Sequence, residues 1–196
     1  MGGAHLRTAR AAVQELFGRV PDGGAAVPLL ATDVTGVGHH VTSCLTWYAA
    51  DLVAGPAEVS AFDLVRRPDV ELGEMTRQLG AAAEVLARVV DAAGPEERGA
   101  HSWGLADASG FAAMGCAEMV LPAWDVADAR QLDWAPPTAL ADAVLARLFP
   151  WAPVDGDPWA ALLWATGRGE LPGREPVTTW RWHCAPLSEW DGTQPR

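Results

Sequence analysis

The sequence contains no Lys, no Ile and no Asn. Apart from His, every basic side chain is therefore Arg. Beside abundant Ala, Gly and Pro, this bias points to a GC-rich genome and says nothing about mechanism. No apolar run approaches the ~18–20 residues that a membrane span requires. The opening stretch, MGGAHLRTAR, lacks the apolar core of a signal peptide, so a cytoplasmic protein is expected. Cysteine is scarce: Cys44, Cys116 and Cys184 are odd in number and widely spaced, with no C-x-x-C. That spacing argues against a zinc knuckle or a redox pair and favours reduced thiols, each read as a small buried hydrophobe. Positive charge is short as well, with 14 basic against 25 acidic residues and a net charge of −11. An acidic surface repels phosphate, so nucleic acid is not an expected partner. Internal repeats and low-complexity linkers are also missing.

What remains is a chain of 196 residues, 49% hydrophobic and 20% charged, which suits one ordinary domain with a real core. Residues 1–135 read as helices between Gly/Pro breaks, and 136–196 as an extension packed on the same domain. The first helix is expected over about His5 to Arg19, with Leu6, Val13, Leu16 and Phe17 inward, stopped by the breaker cluster 20–24. The second runs from Asp33, a candidate N-cap, to Val53. Its apolar stripe is Val34, Val37, Val41, Cys44, Leu45, Tyr48 and Leu52. His40 falls on the flank of that stripe, near Trp47 and Asp51, whereas His39 falls opposite and, like His5, reads as a surface residue.

The third helix carries Leu72, Met75, Leu79, Ala82, Leu86 and Val89 at intervals of three or four, and Gly94-Pro95 ends it. The fourth starts after Asp107. Further helices are expected over Thr138 to Phe149, and from the N-cap Asp157 with Pro158 first to Gly167. Val177 to His183 has an extended pattern with Trp180 and Trp182 on one face. Nine of the ten Trp lie at or after Trp103. They are either filler for a cap over one end of the helices or a ligand-facing aromatic wall.

The fourth helix holds the feature that points to chemistry. Glu118 sits among Phe111, Met114, Leu121 and Asp125 on one apolar face. A carboxylate there must be paired, protonated or bound to metal, and His40 is the candidate partner. One turn later stands Pro122. A mid-helix proline costs ~3 kcal/mol and removes the hydrogen bond to the Glu118 carbonyl, so a kink is expected at Glu118.

Several stretches together resemble a known family. His40-Val41-Thr42-Ser43-Cys44-Leu45-Thr46-Trp47-Tyr48-Ala49 resembles the second-helix motif of DinB-like proteins, closest to the actinobacterial mycothiol-dependent maleylpyruvate isomerase branch. Gly110-Phe111-Ala112-Ala113-Met114-Gly115-Cys116-Ala117-Glu118, followed by Trp124-Asp125-Val126-Ala127, resembles the fourth-helix motif of that branch. Arg147-Leu148-Phe149-Pro150-Trp151, Leu163-Trp164-Ala165-Thr166-Gly167-Arg168 and Leu171-Pro172-Gly173-Arg174 resemble its C-terminal extension. The resemblance implies an all-α fold: a DinB-like four-helix bundle with a Trp-rich helical and loop C-terminal extension. It further implies a divalent metal, zinc or nickel, that activates a low-molecular-weight thiol such as mycothiol. By resemblance His40 and Glu118 match two ligands, and the third falls at Pro122, which has no ligating side chain.

Two readings of the site follow. With metal, ligands from facing helices form a facial set, and a third donor would come from His101, Asp125 or Asp51. His101 lies in a loop able to fold over the pocket. Without metal, His40 and Glu118 form a hydrogen-bonded pair, either structural or fit for acid–base chemistry. Asp125 either points inward or caps a loop. His183-Cys184 lacks a third group for nucleophilic catalysis. The leading expectation is a small-molecule enzyme, a thiol-dependent transferase or isomerase with an altered metal site. Its catalytic residues would be His40 and Glu118, and its substrate contacts Trp47, His101, Trp124 and Asp125. The alternative is a metal-free, catalytically silent ligand-binding or biosynthetic accessory protein with the same cavity. A homodimer is compatible with either.

Overall fold

Residues 1–57 and 63–194 are described by a computed structural model, and six α-helices carry the fold among them. They are α1 (Gly3–Gly18), α2 (Val34–Ala54), α3 (Leu72–Ala92), α4 (Ala108–Ala129), α5 (Thr138–Leu148) and α6 (Pro158–Ala165). The expected helices all form, with ends shifted by a residue or a few. Their starts are fixed by local chemistry, because aspartate side chains take up N–H groups left over in the first turn. Asp33 accepts from the Gly36 N–H, Asp107 from the Gly110 N–H at 2.8 Å, and Asp157 from the Trp159 N–H at 3.1 Å. No helix among the described residues is long and apolar enough to cross a membrane.

Two short antiparallel hairpins interrupt the helices. β1 (Ala26–Val27) pairs with β2 (Thr32–Asp33) before α2, and β3 (Gly99–His101) pairs with β4 (Gly104–Ala106) before α4. The stretch around His101, read from sequence as a loop, is thus the second hairpin. Directly after its two-residue connection, Gly104 opens β4 with a positive φ of 136°, a conformation that favours glycine. The segment Val177 to His183 forms no strand. Its end is tied down where the His183 N–H donates to the Leu148 carbonyl at 2.8 Å.

Helix α4 is the centre of the molecule. It is buried from Gly110 to Ala127 except at Glu118 and Trp124, which are half-buried, as expected of a helix that is apolar nearly all round. It continues through Pro122 as one helix to Ala129. Helices α1, α2 and α3 all pack on it, and so does α5. The first three converge at Gly115, where a Cβ would lie 2.7 Å from Leu86, 2.8 Å from Leu6 and 3.2 Å from Leu45. A methyl group at this crossing overpacks three helices at once. Gly115→Ala is therefore expected to cost about 1–3 kcal/mol, seen as a lower urea midpoint at unchanged slope.

The C-terminal segment is latched by Arg147 on α5, whose side chain is only 5% exposed. Its guanidinium donates to Asp107 at 2.8 Å, to the Ser109 hydroxyl at 2.9 Å, and to the His183 and Cys184 carbonyls at 3.1 Å each. Burial pushes the Asp107 carboxyl up, but Arg147 and the Gly110 N–H outweigh it and hold the group below the usual carboxylate range. One cation thus joins the start of α4 to the backbone just after Trp182, which lines the cleft described next.

Candidate metal centre and its cleft

His40 and Glu118 meet, as their helix faces predict, but at a surface cleft rather than deep in the interior. The His40 side chain is 58% exposed and the Glu118 side chain 16%. His40 Nε2 lies 3.3 Å from Glu118 Oε2. Cys44, one turn after His40 on α2, places its Sγ 3.7 Å from the same Nε2. The three side chains can each offer one donor atom, all within 4.8 Å of one another. Around tetrahedral zinc, ordinary bond lengths give an N···O edge of about 3.4 Å and an N···S edge of about 3.6 Å. The two distances from His40 match those edges, and the Cys44–Glu118 edge is bounded at 4.8 Å, so the three side chains have the donor chemistry of a divalent-cation site and close on it with a small shift of one side chain.

The same three groups perturb one another. The hydrogen bond that His40 donates to the Glu118 carboxylate raises the His40 pKa, against the opposing effect of burial. Burial first, and then the Glu118 charge, push the Cys44 thiol well above its ordinary value. Without a cation, Cys44 is a protonated thiol and a poor nucleophile. The sign for His40 follows from its raised value. In the metal-free chain the pair stabilises the fold fully below the ordinary histidine pKa, and that contribution is lost as pH rises through the elevated one. A proton NMR titration of the metal-free chain is expected to give His40 a midpoint above that of an ordinary histidine. In Glu118→Gln the midpoint should drop; an unmoved midpoint would show that the two side chains do not interact in solution.

A cleft of about 200 Å³ opens beside the cluster, lined by His40, Glu118, Pro122, Arg168, Trp180 and Trp182 among others. The Trp residues divide between the cleft and the packing. Trp180 and Trp182 form a wall of the cleft, their ring centroids 5.6 Å apart. Others act as filler, such as Trp134 against Trp159 and Trp151 against Trp164.

The remaining expected site residues sit elsewhere. Asp125 neither joins the donor cluster nor lines the cleft; it holds Arg168, which does line it, through contacts at 2.9 and 3.0 Å. Neither Trp47 nor Trp124 lines the cleft. His101 is in β3, inside an aromatic group: its ring lies 5.7 Å from Tyr48, 5.6 Å from Trp103 and 5.9 Å from Trp182. The Trp103 N–H donates to His101 Nδ1 at 3.1 Å, which fixes Nδ1 as the acceptor nitrogen, and burial lowers its pKa. Asp51 is buried further along α2 and outside the donor cluster. His39, expected on the surface, is half-buried, with Nε2 2.9 Å from the Leu64 carbonyl.

Sequence reading missed Cys44 as a candidate donor because it belongs to the apolar stripe of α2. The signal that finds it is its spacing of four from His40. Arg168 was visible only as part of a motif. No protein-family model, curated protein or solved structure matches the chain.

Proposed function

We propose that His40, Cys44 and Glu118 hold a divalent metal, zinc or nickel, at the mouth of the cleft, and that the protein is a DinB-like small-molecule enzyme built on a four-helix bundle. The observation that carries this reading is the donor geometry, in which an imidazole nitrogen lies 3.3 Å from a carboxylate oxygen and 3.7 Å from a sulfur. The motif order along the chain supports the same family. When bound, the metal supplies Lewis acidity and lowers the pKa of a thiol or water at its open position.

The chain's own residues supply the rest. His40 presents a neutral imidazole nitrogen, and Cys44 must give up its proton to become a thiolate donor. Trp180 and Trp182 exclude water from one wall of the cleft and offer flat apolar surface to a substrate. Arg168 lines the cleft with its charge already balanced by Asp125. A transferase or isomerase that uses a small thiol such as mycothiol fits this arrangement, because the open position and the cleft lie together. Pro122 lines that cleft where the resemblance would place a third ligand, so Cys44 takes over that role from the other helix.

A second reading draws on the hydrogen bond itself. His40 and Glu118 also have the geometry of an ion pair, which would suit acid–base chemistry or a silent binding cavity without metal. Elemental analysis of untagged protein purified without chelators separates the two. Close to one equivalent of zinc or nickel per chain is expected, lost in His40→Ala. Protein that stays metal-free after dialysis against zinc would favour the second reading and end the first.

A further inference from the structure

His40, Cys44 and Tyr48 recur every four residues along α2, so they stand in one row at successive turns of the helix. Glu118 on α4 faces this row and uses both of its oxygens. Its Oε2 lies 3.3 Å from His40 Nε2, while its Oε1 accepts a hydrogen bond from the Tyr48 hydroxyl at 3.2 Å. We propose that Tyr48 is the positioning residue of the metal centre, holding Oε1 so that Glu118 presents only Oε2 to the cation. The proposal rests on the metal reading above.

The physical argument has three parts. A carboxylate on a flexible side chain can bind a cation through one oxygen or through both, and can also swing away. A donor bonded to one oxygen selects the first of these, and outer partners of this kind set ligand orientation and affinity. Tyr48 is suited to the task because it cannot easily move. It is buried, and its ring stands edge-on to Phe111 at 5.8 Å and to His101 at 5.7 Å. A buried phenol also needs a hydrogen-bond partner, and Glu118 provides it. Finally, the Tyr48 hydroxyl is spent on Glu118 Oε1, the oxygen that is not the one near His40, so it acts on the cation through Glu118. The pattern His-x-x-x-Cys-x-x-x-Tyr thus places two ligands and the clamp for the third on one helix face.

The test uses the purified full chain and Tyr48→Phe, which removes a single oxygen and leaves the ring packing intact. Zinc is offered in competition with a chromophoric chelator. Tyr48→Phe is expected to weaken zinc binding by about 10–100-fold, the usual effect of losing such a partner. A cobalt(II) spectrum supplies a readout that looser packing alone would not move. In the variant Glu118 is free to bind through both oxygens, so the visible bands should weaken as coordination rises above four. Equal zinc affinity and identical cobalt spectra in the two proteins would overturn the proposal while leaving the metal reading standing. A wild-type chain that binds no zinc would overturn the metal reading, and the proposal with it.

Discussion

Arg168→Ala is expected to lower the unfolding free energy by about 3–5 kcal/mol, the cost of leaving a buried charge without its partner. Asp125 is fully buried, with a side-chain exposure of 0%, and Arg168 is 13% exposed. The Arg168 Nε and one terminal nitrogen fork onto the two carboxylate oxygens at 2.9–3.3 Å. Among the described residues, Arg168 is the one cation paired with Asp125. Urea unfolding at neutral pH reads the loss directly. A loss below about 1 kcal/mol would mean that the pair behaves as a solvated surface bridge.

The pH dependence gives a second check on the same pair. Burial pushes the Asp125 carboxyl up, with Arg168 opposing. A raised carboxyl pKa means that the native state binds its proton more tightly than the unfolded chain does. Its contribution to stability therefore falls as pH rises from the ordinary carboxylate range through the elevated value. The penalty of Arg168→Ala should accordingly shrink in acid, where a neutral carboxyl needs no counter-charge. Replacing both partners by apolar residues of similar size should restore much of the stability, because the desolvation cost vanishes along with the attraction.

Cys44→Ala is expected to weaken zinc binding by at least a hundredfold. A full four-ligand zinc site is worth about 10–16 kcal/mol, so each donor carries about 3 kcal/mol. The metal-free fold should change far less, since alanine replaces a small buried thiol. Wild-type binding should also weaken in acid. The thiol, held high by burial and by Glu118, must lose a proton to the solvent on binding, and His40 must be neutral. Competition titrations at two pH values measure both effects. Wild-type zinc affinity in Cys44→Ala would remove Cys44 from the centre and leave His40 and Glu118 as a pair only.

The helices were legible because their signals are local. Asp33, Asp107 and Asp157 cap N–H groups two or three residues ahead, and the Leu72-to-Val89 stripe needs only its own periodicity. The encounter of His40 with Glu118 was legible too, since each lies on a definable face of its helix. Their exposure was not, because periodicity tells which way a side chain points but not how much chain covers it. Asp125 shows the same gap. Its burial was open to argument from the sequence, but its partner Arg168 lies 43 residues away, on a segment whose path no local rule fixes. Arg147 is comparable, closing a latch between the start of α4 and backbone carbonyls 36 and 37 residues on.

By itself, then, the chain determined its helical character, the ends of its helices and the two faces that carry an imidazole and a carboxylate. These follow from hydrogen bonds and periodicities that span a few residues. Tertiary structure alone decided that Cys44, still buried in the apolar stripe, brings its sulfur within reach of His40, that Tyr48 engages the spare oxygen of Glu118, and that Arg168, Trp180 and Trp182 line the cleft. Each of these depends on where two separate stretches of backbone come to rest, which is set by the packing of the whole core around α4.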